Sequence, residues 1–430
     1  MMRTFSTRLQ QFVRRSRSRS ITAGLLTIIV VVLSGFTIAA GVIDPSSVVK
    51  FARGPAEALV PTAAVPGPAL NAAAADRLRP PGLESPGKKP PAGWLYVVDS
   101  NRSMDEAQVL LLDPQSQAIQ GAFRTGHAPD IALAPDGSRL YVASSHGSSS
   151  SLEVFDTVSG AILQTVEVPY RGVLPDLLLV SGMAISPDGR WLYIYKMQTI
   201  APGNDQFMIA VFDTAAGQFR STDIQVPDCQ QALFVPAHDT MYILCRPSNN
   251  LRAITNGTMT IASTIALPVT PQAQNRDTTE YAVGGVASAD GRFLYIATNT
   301  GRIWRINGNS SQITRTFDLA LLTDTRAALE SLSISPDGAT LYIGIGPRES
   351  QTGLVLADRI ATIDTATGKQ VGTITPRQSL RNITISADGR YLFAIDRNRQ
   401  DRLVISTTPQ RQVDVIKNVG APIRFVAVAP

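Results

Sequence analysis

Residues able to hold a metal ion or to carry covalent chemistry are scarce in this sequence. Among its 430 residues there are 2 cysteines and 3 histidines. So few residues do not easily complete the tetrahedral Cys/His shell that zinc prefers. Motifs of the Gly-x-Ser-x-Gly, CxxC, phosphate-loop and HExxH types are also absent. The sequence therefore predicts no metal site, no cofactor site and no catalytic residues that can be named.

Acidic residues are missing from the N-terminus, and this accounts for the basic character of the chain. The formal net charge is +5, but residues 1–20 contain six arginines and no acid, so the rest of the chain sums to −1. No basic stripe with interleaved aromatic residues occurs in that remainder. We therefore expect no nucleic-acid partner.

Charge is absent altogether from Ile21 to Ile43. As a helix this segment would be about 35 Å long, enough to cross a hydrocarbon core of about 30 Å. The arginines of residues 1–20 favour a cytoplasmic N-terminus, which places the rest of the chain outside the cytoplasm. We interpret residues 21–43 as a retained single-pass membrane anchor. The alternative is a signal peptide cleaved near Ala39-Ala40, which would leave a periplasmic or secreted protein.

Residues 44–93 are rich in proline and alanine and show no sustained amphipathic period. This composition is typical of a tether, and a flexible chain of that length has a reach of about 40 Å. Residues 94–430 then form the remaining domain.

That domain repeats itself at a spacing near fifty residues. Most copies combine an Asp-Gly turn with a strand of alternating Leu-Tyr-Ile type, and a β-branched strand and a second turn follow. The copies are WLYVV (94–98), APDGSRLYV (134–142), SPDGRWLYI (186–194), PAHDTMYIL (236–244), SADGRFLYI (288–296), SPDGATLYI (335–343) and SADGRYLFA (386–394). Seven units of four short strands predict an all-β fold, a seven-bladed β-propeller.

The two ends of the domain complement each other. The first copy begins with the second strand of a unit, whereas the chain ends in FVAVAP (425–430), which matches the first strand IALAP (131–135). We expect the C-terminal strand to enter the first blade and close the ring, which removes an unpaired sheet edge.

The units SPDGRWLYI and IDTATGKQV resemble YVTN-type repeats of the family related to the heavy chain of quinoprotein amine dehydrogenases. They are also similar to lactonase-type propellers. The resemblance covers 94–430 and implies the propeller fold. In the resembling dehydrogenases the quinone cofactor belongs to a separate small chain, so the resemblance implies no cofactor on this one.

Long connections fall on one face of the predicted propeller. The Asp-Gly and Asp-Thr turns share one face, here called the plain face. The opposite, loop-rich face receives the long segments, which are 169–182, 196–206, 268–281, 318–330 and 346–358. Because binding groups tend to lie on loops held by a rigid scaffold, we expect the site at the channel mouth of the loop-rich face.

The candidate ligand-binding residues come from the predicted innermost strands. Aligned on their turns, Glu330, Arg381 and Arg424 share one height, and Asp130, Gln231 and Asn382 lie one residue deeper. Two arginines beside a carboxylate suit a small anionic ligand, since the guanidinium offers a planar fork. The alternative is an ion pair of Glu330 with one arginine at the rim of the channel.

Two further features concern histidine and cysteine. His127 precedes an innermost strand and His146 lies in a loop, so both lie near the channel mouth, either as ligand contacts or as solvated loop residues. Cys229 and Cys245 flank one predicted hairpin nearly opposite each other, which makes them candidates for a disulfide that stiffens it locally.

The leading functional hypothesis is a membrane-anchored, non-catalytic module outside the cytoplasm that binds a protein or small anionic ligand at the loop-rich face. The alternative is an enzyme or enzyme subunit, either the propeller chain of a quinoprotein dehydrogenase or a lactonase-like hydrolase. A structural role in the cell envelope is a third hypothesis that the sequence does not separate from the first.

Overall fold

The computed structural model describes residues 87, 89–99, 107–116, 118–125, 127–146, 149–169, 178–201, 204–269, 280–319, 327–347, 359–375, 380–396, 402–406, 411–416 and 422–427. The predicted tail, the hydrophobic segment and nearly all of the predicted linker lie outside these residues. No helix within the described ranges is long and apolar enough to cross a membrane.

The described strands form seven antiparallel sheets, which we call blades one to seven in chain order. Blade one contains β1 (Leu95–Asp99), β2 (Ala107–Asp113) and β3 (Ala118–Thr125). Blade two contains β4 (His127–Leu133), β5 (Arg139–His146), β6 (Ser149–Asp156) and β7 (Ile162–Glu167). Blade three contains β8 (Leu178–Ile185), β9 (Trp191–Ala201), β10 (Asn204–Asp213), β11 (Gln218–Phe219) and β12 (Ile224–Gln225).

The remaining blades repeat the same order of strands. Blade four contains β13 (Cys229–Ala237), β14 (Thr240–Pro247), β15 (Asn250–Thr255) and β16 (Ser263–Ala266). Blade five contains β17 (Ala282–Ala287), β18 (Phe293–Thr298), β19 (Arg302–Asn307) and β20 (Gln312–Asp318). Blade six contains β21 (Ala327–Ile334), β22 (Thr340–Pro347), β23 (Arg359–Asp364) and β24 (Gln370–Ile374). Blade seven contains β25 (Leu380–Ile385), β26 (Tyr391–Asp396), β27 (Arg402–Ser406) and β28 (Arg411–Ile416), and β29 (Pro422–Ala427) follows.

The last strand enters the first sheet, as the sequence predicts. β29 pairs antiparallel with β1, which gives blade one the strand order β29-β1-β2-β3. The innermost strands β4, β8, β13, β17, β21, β25 and β29 each contact the next in this order, and β29 contacts β4. The contacts therefore run in a closed cycle, and the predicted all-β propeller is confirmed.

Alternation along the second strand of each blade builds the core between blades. In β1, Tyr96 and Val98 pack towards blade two with Ile131 and Leu140, whereas Leu95 packs towards blade seven. Because successive side chains of a strand point to opposite faces, one Leu-Tyr-Val run fills two separate clusters. Each blade is thus apolar on both faces, and the core is a series of layers between neighbouring blades.

The turn between the first and second strands is held by its aspartate. In blade six the Asp337 carboxylate accepts hydrogen bonds from the backbone N–H of Ala339 (3.0 Å) and from the Ser335 hydroxyl (2.5 Å). Gly338 follows with φ +71°, a conformation that side chains with a Cβ rarely adopt. The same carboxylate bond to a backbone N–H recurs at Asp136, Asp188, Asp290 and Asp388. The interpretation of these aspartates as turn residues is confirmed.

Second-strand tyrosines of blades three and four each contact the following blade on the plain face. The Tyr242 hydroxyl donates to the Gly308 carbonyl of blade five (2.8 Å), and the Tyr193 hydroxyl donates to the Asn256 side chain of blade four (3.2 Å). In blades two, three and six a threonine of the Asp-Thr turn lies at the position of Asn256 and Gly308. Its hydroxyl donates to the Asp-Gly turn of its own blade, as from Thr365 to the Gly338 carbonyl (2.8 Å). Burial raises the pKa of Tyr193 to about 12, so the hydroxyl stays a donor.

Three local expectations are wrong. The segment 196–206 is not a long loop, because β9 extends to Ala201 and β10 begins at Asn204, with a ladder along the whole hairpin. His127 is the first residue of β4 rather than preceding it, and His146 ends β5 instead of lying in a loop. In blades two and three the polar residues at the strand ends continue the backbone ladder, since that ladder does not require apolar side chains.

Candidate functional site

Every innermost strand carries a β-bulge in its first half, near the loop-rich face. One extra residue in the strand interrupts the ladder each time. The interruptions lie at 127–130 in β4, 180–183 in β8, 229–231 in β13, 282–284 in β17, 329–331 in β21, 381–383 in β25 and 422–425 in β29. Bulges change the direction of neighbouring side chains and are enriched beside binding sites. The seven bulges form a ring, here called the bulge ring.

The candidate residues chosen from the sequence all lie in or beside the bulge ring. Glu330 and Asn382 are themselves bulged residues without a ladder partner, and Arg424 lies within the interruption of β29. The others flank an interruption. These are His127, Asp130, Gln231 and Arg381.

Asp130 is the one of these candidates whose side chain the structure describes. It is buried, and its carboxylate accepts a hydrogen bond from the N–H of Ile131 at 3.0 Å. A carboxylate held in this way is fixed by the strand that carries it.

The height assigned to Gln231 is wrong. Asp130 pairs with Ala143, the second residue after Tyr141, whereas Gln231 pairs with Arg246, the fourth residue after Tyr242. The cause is the turn of blade four, where only His238 and Asp239 separate the paired Ala237 and Thr240. A shorter turn moves the whole innermost strand, so Gln231 lies nearer the loop-rich face than Asp130.

Cys229 and Cys245 form a disulfide in blade four, between the innermost strand and its neighbour. Cys229 pairs with Pro247 and Cys245 with Ala232, so the bond crosses the ladder diagonally beside the bulge. Both cysteines are buried against blade three, with Tyr195 and Ile209. The bond therefore braces the first strand of blade four at its loop-rich end.

Arg246, which the sequence did not single out, follows Cys245 on β14 and lies on the opposite face of that strand. Its guanidinium carbon is 5.4 Å from the centre of the Tyr281 ring, which begins blade five. Burial lowers the pKa of Arg246, because desolvation disfavours the charged form. Its Nε atom is buried and reaches no acceptor within the described part of the chain. No motif marks this residue, since the contact joins two blades.

Two asparagine side chains hold the backbone of the strand entry beside Arg246. The Asn249 side chain accepts from the N–H of Ala282 (3.1 Å), and the Asn299 side chain accepts from the N–H of Tyr281 (2.9 Å). Next to Tyr281, the buried Glu280 pairs with Arg302 at 3.0 Å and accepts from Thr300 at 2.9 Å. These contacts hold the strand entry that carries Tyr281 at the junction of blades four and five.

A second charged pair that the sequence did not predict lies in blade three. The Lys196 side chain is fully buried, and its ammonium contacts the Asp223 carboxylate at 2.9 Å and the Pro169 carbonyl. Because a buried charge is tolerated only when paired, this contact ties the end of blade two to blade three.

The described residues contain no group of three or more His, Cys, Asp or Glu side chains that could hold a metal ion. Their geometry defines the class of the protein, a β-propeller whose innermost strands each carry a bulge near the loop-rich end. Residues 92–420 match the family model of the methylamine dehydrogenase heavy chain. The chain belongs to this family.

Known proteins resemble this chain in sequence or in fold. The methylamine dehydrogenase heavy chain of Methylophilus methylotrophus is 19% identical over 351 residues, which are 78% of this chain and 83% of that protein. Among solved structures, the periplasmic gluconolactonase PpgL of Pseudomonas aeruginosa is 18% identical with a TM-score of 0.56 over 79% of this chain and 100% of that one. The Cps50 (Swd1) propeller domain of Myceliophteria thermophila is 15% identical with a TM-score of 0.51 over 69% of this chain and 88% of that one. These structural likenesses concern the fold.

Proposed function

We propose that this chain is the propeller subunit of a complex and binds a partner protein around the channel mouth of its loop-rich face. The bulge ring carries the proposal, because seven bulges lie at one end of the innermost strands and the candidates Glu330, Arg381 and Arg424 lie in or beside them. Family membership supports it, since the Methylophilus relative is a heavy chain, a name that implies a second chain.

The proposal places no quinone cofactor on this chain. In the resembling dehydrogenases the cofactor belongs to the small chain. We therefore derive no redox step on this chain and assign it binding and positioning of the partner.

The test is isolation of the tagged full-length protein from its native cells under mild detergent. We expect a small protein to be recovered in stoichiometric amount. The double variant Arg381→Ala/Arg424→Ala should lower its recovery at least about tenfold, because charged contacts at an interface core each contribute about 2 kcal/mol. Lys369→Ala, an exposed charge in a plain-face turn, is the control. Repeated recovery of the protein alone would contradict the proposal.

A lactonase-like hydrolase is the second candidate, favoured by the likeness to the gluconolactonase over all of that chain. The full-length protein and its Arg381→Ala/Arg424→Ala variant should be assayed against sugar lactones. Turnover by the wild type that the variant loses would favour the hydrolase over the partner-binding role. Turnover equal in both would place hydrolysis elsewhere on the chain.

We also propose that residues 21–43 remain as a membrane anchor. The support is the uncharged length of the segment and the arginine cluster before it. After alkaline extraction of membranes, the protein should stay in the pellet with the mass of the full chain, 46.0 kDa. A shortened, released protein would show that the segment is a cleaved signal peptide.

The ring is proposed to have seven blades closed by β29. The cyclic contacts of the innermost strands support this number. Removal of residues 423–430 should abolish cooperative unfolding of the propeller, because it exposes the edge of β1 and the core beneath it. Removal of 428–430 alone, beyond β29, is the matched control and should have little effect.

A further inference from the structure

Within the described ranges, no acidic side chain contacts the Arg246 guanidinium. The guanidinium lies over the Tyr281 ring, and its buried Nε finds no acceptor within the described ranges. A cation–π contact stabilises a guanidinium only modestly. Burial removes the hydration of the guanidinium, and this loss is larger than the gain from the cation–π contact. A folded protein that keeps such a group commonly supplies a partner for it.

The acids close to Arg246 along the chain and across the ladder are already engaged. Glu280 is bound by Arg302 and Thr300, and Asp228, which precedes the disulfide, pairs with Arg252. Arg302 also contacts the exposed Asp318 carboxylate at 3.4 Å. Each of these acids therefore contacts an arginine other than Arg246, and within the described ranges no acid pairs with the Arg246 guanidinium at the junction of blades four and five.

We propose that Arg246 and Tyr281 form a binding site for a small organic monocarboxylate, held between blades four and five. This site does not depend on the partner-binding role proposed above, and either can fail without the other.

The chemistry of the site selects this class of ligand. A guanidinium presents parallel N–H donors in a plane, which match the two oxygens of a carboxylate. One guanidinium balances one negative charge, whereas a doubly charged phosphate would bring an excess charge into the junction. Tyr281 is 41% exposed, so its ring offers an apolar surface to the remainder of the ligand. Asn249 and Asn299 hold the strand entry in place, which reduces the cost of ordering on binding.

The test uses purified full-length protein and measures thermal unfolding with increasing butyrate or benzoate. The neutral amides of the same two acids and inorganic phosphate serve as matched probes. We expect the carboxylates to raise Tm in a saturable manner, and the amides and phosphate to have little effect. A wild-type protein that does not respond to the carboxylates, or that responds equally to amides or phosphate, would overturn the proposal.

Variants assign the effect to the residues. Arg246→Met should weaken binding at least about tenfold, since a hydrogen-bonded charge is lost. Without ligand this variant should be at least as stable as the wild type, because it removes an unmatched buried charge. Arg246→Lys keeps the charge but not the fork and should bind less tightly than the wild type. Arg220→Met is the control, since Arg220 also lies over an aromatic ring, 5.7 Å from Trp191, away from the junction.

Two results would assign Arg246 a structural role instead. One is loss of stability or of folding in Arg246→Met. The other is carboxylate binding as tight as in the wild type in both single variants, Tyr281→Ala and Arg246→Met. Tyr281→Ala alone changes an exposed side chain, so it tests the site in a folded protein, and we expect it to weaken carboxylate binding because the apolar surface for the ligand is lost.

Discussion

The Tyr242 hydroxyl of blade four donates a 2.8 Å hydrogen bond to the Gly308 carbonyl of blade five. Tyr242 is almost fully buried, and burial raises its pKa. Tyr242→Phe removes the donor and leaves a carbonyl without its partner, so we expect a loss of about 1–2 kcal/mol in the free energy of unfolding. Denaturant titration should show a lower midpoint with an unchanged slope. Equal midpoints would mean that water replaces the hydroxyl at no cost.

The corresponding position of blade seven is Phe393, which has no hydroxyl. It packs against Leu95 and Val97 of blade one, whose turn has Pro114 where blades two, three and six have threonine. Phe393→Tyr would bury a hydroxyl opposite a turn that lacks a side-chain partner, and should cost about 1–3 kcal/mol.

The compensating change at this closing junction is Pro114→Thr. If a pairing of the second-strand tyrosine with a turn threonine of the next blade can stabilise this junction, the double variant should be more stable than the sum of the two single changes predicts, by about 0.5 kcal/mol or more. Additive effects in thermal or chemical unfolding would exclude that coupling.

The repeats were readable in the sequence because each blade uses the same local chemistry. The Asp-Gly turns and the alternating aromatic strands are short-range features, and their residues reveal them directly. The pairing of β29 with β1 was predictable because the two ends of the chain each lack what the other provides. These features decide the fold.

The site was only partly predictable because its features arise between strands or between blades. Glu330 and Asn382 were chosen by alignment, but nothing in their own sequence marks them as bulged. Arg246 meets Tyr281, and Lys196 meets Asp223, through contacts that depend on how distant elements pack. A two-residue change in the turn at His238 sufficed to misplace Gln231.

Loss of the disulfide should destabilise blade four. Cys229 and Cys245 are 16 residues apart, and a closed loop of that size contributes about 3 kcal/mol in the loop-entropy description. The double variant Cys229→Ala/Cys245→Ala should therefore unfold at a lower temperature than the oxidised wild type. A reductant should lower the Tm of the wild type and leave that of the variant unchanged. Equal sensitivity of both proteins would contradict a bond in the folded protein.

Acid should weaken the Asp-Gly turns. The Ser335 hydroxyl and the Ala339 N–H hold the pKa of Asp337 below its ordinary value. A depressed folded pKa contributes stability above the unfolded value near 4, and this contribution is lost as the pH falls through the folded pKa. Asp337→Asn should therefore lower Tm at pH 7, and the difference from wild type should shrink towards about pH 2. A difference that does not change with pH would assign it to packing.

The buried pair of Lys196 and Asp223 predicts an asymmetric response to substitution. Asp223→Asn leaves a fully buried ammonium without its carboxylate, and removal of one partner from such a pair costs about 3 kcal/mol or more. Adding Lys196→Met removes the stranded charge and keeps the volume of the side chain. We expect the double variant to regain most of the Tm lost by Asp223→Asn alone, because an apolar replacement of a buried pair is often neutral. A double variant less stable than Asp223→Asn would show that the Lys196 contact with the Pro169 carbonyl, and not the ion pair, holds this end of blade three.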